Sequence, residues 1–133
     1  MRILLDQPFP VTAGQLQPRE VSLERWQGVD ISDAELISEA VEDNYNAVAF
    51  LGRAVLARPE LLRQLDQSRL PAIIVAEADP IQGMLAMLAH LRAIESKLSP
   101  SGACIVHSTR VYVVEYTSLL AATEAPSDLV PSS

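Results

Sequence analysis

The chain has 133 residues, 49% of them apolar, with a formal net charge of −7 and a pI near 4.7. This length suits one domain with a hydrophobic core, and the acidity disfavours tight autonomous binding to nucleic acid, which needs a basic surface. No apolar run approaches the roughly 20 residues of a membrane span, and no signal-peptide pattern opens the chain, so we expect a cytoplasmic protein without a membrane partner.

The first predicted element is a short strand. Residues 3–5 are an uninterrupted apolar run, typical of a strand buried on both faces. The run ends at Asp6, and Pro8 and Pro10 follow, which cannot donate to a β-ladder. Asp6 therefore has two interpretations: its side chain opens a turn, or it is a functional group at the carboxyl end of a central parallel strand.

A second short strand is predicted at residues 20–23, followed by a helix that begins after Ser32. Ser32 and Glu35 have the spacing of a capping box. The apolar positions of this helix recur at helical spacing: Leu36, Ile37, Ala40 and Val41. Residues 46–51 then predict another buried strand.

The middle of the chain alternates again between helix and strand. Pro59 suits the first turn of a helix, whose inward residues are Leu61, Leu62 and Leu65. Residues 71–77 predict the clearest strand, a β-branched apolar run. The longest predicted helix, 81–98, carries one apolar stripe: Ile81, Met84, Leu85, Leu88, Leu91, Ile94 and Leu98.

The last predicted elements are two strands, 103–108 and 110–116, joined as a β-hairpin. Alternating strands and helices predict an α/β fold with a mostly parallel sheet covered on both faces, to which this hairpin adds an antiparallel edge. We assign residues 1–116 to a single domain and 117–133 to a flexible C-terminal tail.

Most familiar catalytic signatures are absent from the sequence. Cys104, the only cysteine, and His107 lie three residues apart in a strand, so their side chains should point to opposite faces and not form a catalytic pair. We interpret His90 as a surface residue, and Met84 and Met87 as core filling.

The carboxylates are the remaining candidates for chemistry. Asp6 ends the first strand, and Asp33 and Glu35 open a helix that could begin at the same edge of the sheet. Oxygen ligands gathered there would suit Mg²⁺ or Mn²⁺, although Glu35 is also explained by the capping box and both helix acids by the helix dipole. Glu77 and Asp79 are more simply the solvated exit of a strand.

The order of these pieces resembles the small PIN-like proteins of bacteria, several of which are toxin halves of toxin–antitoxin pairs. The resemblance extends to about Tyr116 and depends on the order and spacing of five stretches, LLDQPFP, GVDISDAELISEA, NAVAFLGRAVL, LPAIIVAEAD and GACIVHSTRVYVVEY. It implies a three-layer α/β/α PIN-like fold and metal-dependent RNA cleavage by clustered acidic residues.

The resemblance also assigns individual residues. It implies that Asp6 is the first-strand aspartate and that Asp33 with Glu35 is the acidic start of the helix. The next strand should end in a Thr-x-Asp-x-Asp pattern, but Gly52 and Ala54 stand where the two aspartates are expected, with Arg53 between them. Loss of two ligands should sharply weaken the binding of catalytic metal ions.

Three hypotheses follow. The leading one is a degenerate PIN-like domain, catalytically weak or inactive, retained as a binding or regulatory module. The second is an active ribonuclease that holds Mg²⁺ or Mn²⁺ with Asp6, Asp33 and Glu35 and acts on RNA. The third is an α/β subunit that docks another chain through its hairpin and the apolar residues Leu119 and Leu120. The expected partner is an antitoxin-like protein or a second copy of the chain.

Overall fold

The computed structural model describes residues 1–10, 21–27 and 29–124. The strands are β1 (Arg2–Leu5), β2 (Ser22–Arg25), β3 (Ala47–Leu51), β4 (Ala72–Val75), β5 (Gly102–Val106) and β6 (Val111–Glu115). The helices are α1 (Asp33–Glu42), α2 (Pro59–Ser68), α3 (Pro80–Ala89), α4 (Leu91–Lys97) and α5 (Tyr116–Glu124), with a short 3-10 helix at Ala54–Ala57.

The strands form one sheet in the order β2-β1-β3-β4-β5-β6. All neighbours pair in parallel except β5 and β6, which pair antiparallel as the predicted hairpin. From β1 the chain goes first to β2 on one side and later to β3 on the other. The boundary between β1 and β3 is therefore the point where the direction of strand addition reverses, which is where open α/β sheets bind their ligands.

Helices cover both faces of the sheet, which confirms the predicted three-layer α/β/α fold. One hydrophobic cluster joins Ile3 and Leu5 to Met84 and Met87 of α3 and to residues of α4. The other cluster, on the opposite face, joins Leu4 to residues of α1 and α2 and to Tyr116 of α5. Side chains of β1 alternate between the two clusters because successive strand residues point to opposite faces.

The N-terminus of α1 has the predicted capping box. The Ser32 hydroxyl accepts from the Glu35 amide at 3.1 Å, and the Glu35 carboxylate accepts from the Ser32 amide at 3.1 Å. The predicted stripe was wrong at its edge, since Val41 is 43% exposed. Val41 follows Ala40, the last buried position of α1, and so turns away from the sheet.

The single helix predicted over residues 81–98 was wrong, because it breaks at His90 into α3 and α4. The predicted apolar stripe therefore does not run continuously through both helices. The buried residues of α3 are Gly83, Met84 and Met87. Ile81 and Leu85, predicted inside, are 59% and 53% exposed. His90 is only partly exposed, and its Nε2 lies 3.0 Å from the carbonyl oxygen of Ser108 in the hairpin loop.

Residues 117–124, which were predicted to begin a flexible tail, belong to α5, and residues 125–133 lie outside the described residues. Tyr116 is buried at the start of α5, and its hydroxyl donates to the carbonyl oxygen of Leu70 at 2.5 Å. Leu119 and Leu120 are half-buried against the cluster shared with α1 and α2. These two residues therefore pack on their own chain.

The helices in the described ranges are all too short or too polar to cross a lipid bilayer.

We expect Tyr116→Phe to lower the free energy of unfolding by about 1 to 3 kcal/mol, because it leaves the buried Leu70 carbonyl without its donor. Urea unfolding measures this loss. Tyr112→Phe is the matched control, since the Tyr112 hydroxyl, 3.2 Å from Nε2 of His107, is only partly buried and water can replace it. Equal losses in the two variants would contradict the anchoring role of Tyr116.

Candidate functional site at the carboxyl end of the sheet

Asp6 extends the pairing of β1 with β3 by one residue. Its amide donates to the carbonyl oxygen of Ala49 in β3 at 3.0 Å. Its Oδ1 accepts from the Gln7 amide at 2.8 Å, and its carbonyl accepts from the Phe9 amide at 3.1 Å. The turn interpretation of Asp6 is therefore correct, and the same geometry places the carboxyl group at the β1/β3 boundary.

Arg25, at the end of β2, holds this turn in place. Its Nη2 donates to the carbonyl oxygen of Gln7 at 2.7 Å and its Nε to that of Phe9 at 2.7 Å. Its Nη1 lies 3.3 Å from the carbonyl oxygen of Trp26. A single guanidinium thus ties the turn after β1 to the end of β2 and brings a positive charge near Asp6.

Burial raises the pKa of the Asp6 carboxyl above its ordinary value, against the opposing effect of the Gln7 amide. The negative charge of Asp33 raises this pKa further, and Arg25 lowers it. Asp6 and Asp33 are therefore close enough to interact electrostatically. The structure brings these two predicted site residues into the same neighbourhood.

Asp33 already has a cationic partner. Its Oδ2 lies 3.4 Å from Nη1 of Arg58, whose Nε lies 2.9 Å from the carboxylate of Glu60. The Arg58 side chain is 49% exposed and that of Asp33 28% exposed. Such partly solvated pairs contribute little stability, but this one places a guanidinium beside the carboxylate predicted to bind a metal ion.

Glu35 turns towards its own helix end. Hydrogen bonds from the backbone and side chain of Ser32 lower the pKa of the Glu35 carboxyl, which stays ionised in the capping box. Within the described ranges, no three Asp, Glu, His or Cys side chains gather closely enough to hold a metal ion. The predicted trio is thus divided between an interacting pair, Asp6 and Asp33, and a separate cap, Glu35.

No carboxylate follows β3 at positions 52–54, which are Gly52, Arg53 and Ala54. Gly52 has φ +90, a conformation that residues with a Cβ rarely adopt, and its amide donates to the carbonyl oxygen of Val75 at 2.7 Å. Arg53 and Ala54 are exposed. An aspartate at position 52 would have free space but a strained backbone, so the backbone at this position favours glycine.

Glu77 and Asp79 have local structural roles at the exit of β4. Oδ2 of Asp79 caps α3 by accepting from the Gln82 amide at 2.9 Å, and Oε1 of Glu77 accepts from the Asp79 amide at 3.2 Å. Both residues are exposed.

Cys104 and His107 lie on opposite faces, as predicted. Cys104 is buried in the cluster with α3 and α4, whereas His107 stacks on Tyr112, with ring centroids 5.5 Å apart. Tyr112 packs against the cluster on the other face. Burial raises the pKa of the Cys104 thiol to about 11, so it is not a thiolate nucleophile at neutral pH.

A groove of about 390 Å³ lies beside α1 and was not predicted from the sequence. Three of its side chains are acidic, Trp26 and Ile31 give it an apolar wall, and Nε1 of Trp26 donates to the carbonyl oxygen of Val29 at 2.9 Å. Its lining residues are Trp26, Val29, Asp30, Ile31, Ala34, Glu35, Ser38, Glu39 and Gln64. The only sequence signal was a lone tryptophan close to several acids, because the groove exists only once the loop before α1 packs against α1 and α2.

No model of a known protein family matches this chain, and no solved structure matches it.

Asp6→Asn tests the energetic cost of the ionised carboxyl. The pKa of Asp6 in the folded chain lies above 3.8, its reference value in the unfolded chain. Between the unfolded and the folded pKa, the native state therefore binds more protons than the unfolded state. The free energy of unfolding falls as pH rises through this range. Asparagine removes the charge and keeps an acceptor for the Gln7 amide. We expect the variant to be more stable than the native protein at neutral pH.

Urea unfolding at neutral pH and at a pH below 3.8 measures this difference, which should shrink at the lower pH as Asp6 becomes protonated in both states. Glu42→Gln removes one negative charge from an exposed position of α1 and serves as the control. A variant less stable than the native protein at neutral pH would mean that the Asp6 charge is favourable.

Proposed function

We propose that this protein is a degenerate PIN-like domain that acts as a binding module for a basic segment of an antitoxin-like partner protein, and not as a nuclease. The observation that carries the proposal is the end of β3. Gly52 and Ala54 stand where the resemblance implies two aspartates, and the left-handed backbone of Gly52 disfavours a carboxylate-bearing residue there.

The surroundings of Asp33 support the same proposal. Arg58 pairs with this carboxylate, and Arg53 is exposed at the end of β3. Catalysis with two metal ions needs several carboxylates that remain available to the cations. Of the three acids predicted to hold metal, Asp33 is engaged in an ion pair and Glu35 in a helix cap, whereas Asp6 has neither contact among the described residues.

The groove beside α1 supports a binding role. Its acidic residues are Asp30, Glu35 and Glu39, and it has the volume of an ordinary ligand site. Trp26 adds an aromatic surface on which a guanidinium or ammonium group can stack. A basic segment with apolar residues between its charges matches both the carboxylates and the apolar wall.

A second candidate function is a ribonuclease dependent on Mg²⁺ or Mn²⁺. It is favoured by the electrostatic interaction of Asp6 with Asp33, because a bound cation would offset the repulsion between two neighbouring carboxylates. Asp6 and Asp33 would hold the ion, which would stabilise charge on the phosphate of bound RNA. Glu35 fits this role only if it leaves the capping box.

Incubation of a mixed RNA pool with Mn²⁺ separates these two functions. We expect neither the native protein nor Asp6→Asn to cleave RNA in a metal-dependent way, because the carboxylates expected at the end of β3 are absent. Cleavage by the native protein that is lost in Asp6→Asn would overturn the degenerate assignment. Equal cleavage by both proteins would point to a contaminating nuclease, which repurification would remove.

Fluorescence titration tests the groove, because Trp26 is the only tryptophan in the chain. The probe is a synthetic peptide of alternating arginine and leucine. We expect a saturable change in Trp26 emission, and we expect the double variant Glu35→Gln, Glu39→Gln to bind about fivefold more weakly, as the loss of two partly solvated charge contacts implies. Glutamine at position 35 preserves the capping box, so α1 keeps its start.

Glu42→Gln is the matched control, because it changes the same kind of charge on α1 outside the groove. It should bind the peptide as the native protein does. Equal weakening by the control and the double variant would mean that the peptide responds only to the net acidity of the chain. A titration without saturation would exclude the groove as the binding surface.

A further inference from the structure

The side-chain donors that line the groove beside α1 are already in use. Nε1 of Trp26 donates to the carbonyl oxygen of Val29 at 2.9 Å. The Ser38 hydroxyl donates to the carbonyl oxygen of Ala34 at 3.2 Å, and Nε2 of Gln64 donates to the same oxygen at 2.9 Å. Among the described residues that line the groove, none is a lysine, arginine or histidine. A ligand of this groove therefore has to bring its own donors.

The hydrogen bonds of Gln64 fix the orientation of its side-chain amide. A carbonyl oxygen cannot donate, so the group of Gln64 that contacts the Ala34 carbonyl is the NH₂ group. The same Nε2 lies 3.2 Å from the hydroxyl oxygen of Ser38. Nε2 is thus engaged with α1, and none of the described residues donates to Oε1. Because Gln64 lines the groove, α2 contributes an acceptor to it.

The wall formed by α1 contributes carboxylates. Glu35 and Glu39 both line the groove and lie one helical turn apart, so their side chains are neighbours on the helix surface. The Ser32 amide donates to Oε1 of Glu35, which leaves Oε2 available to a ligand. Like charges at this spacing repel one another, and a bound cation would offset that repulsion.

We propose that the groove recognises an arginine side chain of its partner segment in preference to lysine, and that Gln64 is a specificity-determining residue. This inference rests on the binding role proposed above. A guanidinium has five N–H donors in a planar fork and no acceptor, which matches a groove whose free side-chain groups are acceptors. The fork directs donors to several sides, whereas the ammonium of lysine carries its three donors on one compact nitrogen.

The apolar wall favours the same ligand and indicates that it belongs to a peptide. A planar guanidinium stacks on an aromatic ring such as the half-buried Trp26. Val29 also lines the groove and is 81% exposed. An apolar residue beside the arginine in a peptide would cover Val29, which a free guanidinium compound would leave in water.

Titration of the full chain with two peptides tests the proposal, with Trp26 emission as the signal. One is the peptide of alternating arginine and leucine, and the other has lysine at every arginine position, so that the two carry the same charge. We expect the native protein to bind the arginine peptide roughly fivefold to tenfold more tightly, from stacking and one further hydrogen bond. Gln64→Met should weaken the arginine peptide about threefold and the lysine peptide less, because it removes that acceptor.

Gln67→Met is the matched control, because Gln67 is an exposed residue of α2 outside the groove lining. It should bind both peptides as the native protein does, and urea unfolding establishes that each variant is folded. Equal affinity of the native protein for the two peptides would overturn the preference for arginine and leave the binding role of the groove standing. Equal weakening of both peptides by Gln64→Met would mean that Gln64 only holds α1 against α2, which would overturn its role in specificity. A lack of saturable binding by either peptide would overturn this inference together with the proposed function.

Discussion

The position of β1 between β2 and β3 is the constraint on which the arrangement of the protein depends. Its residues Ile3, Leu4 and Leu5 are at most 3% exposed, and they contribute to both hydrophobic clusters. A strand buried on both faces can carry polar side chains only at its ends, where they reach solvent or polar partners. Asp6 is the first residue after the buried strand, and its amide still pairs with β3, so its carboxyl group lies at the carboxyl edge of the sheet, at the β1/β3 boundary.

Two arginines of the chain make contacts near Asp6. Arg25 bonds backbone carbonyl groups and fixes the turn after β1, and Arg58 pairs with Asp33 at the start of α1. A carboxylate site that binds metal ions leaves its negative charge to be neutralised by the ions. Here part of that charge is neutralised within the chain, which is why we favour a binding role over a metal-dependent one.

The two covered faces of the sheet end in surfaces of different character. On the face of α1 and α2, the loop before α1 leaves an acidic groove with an aromatic wall. On the face of α3 and α4, the helix breaks at His90, and Ile81 and Leu85 of α3 are exposed. Charge complementarity suits the first surface to a basic partner, whereas the second surface is uncharged.

The sequence by itself determined the elements whose signals are local. The capping box of α1, the proline at the start of α2, the buried strands and the hairpin all follow from neighbouring residues, and so does the place of Asp6 at a strand end. Only the tertiary structure decided that the helix breaks at His90 and that residues 117–124 are helical. The same is true of the pairing of Asp33 with Arg58 and of the groove beside α1. These features depend on contacts between residues far apart in the chain, and such contacts override the local propensity and periodicity from which a single sequence is interpreted.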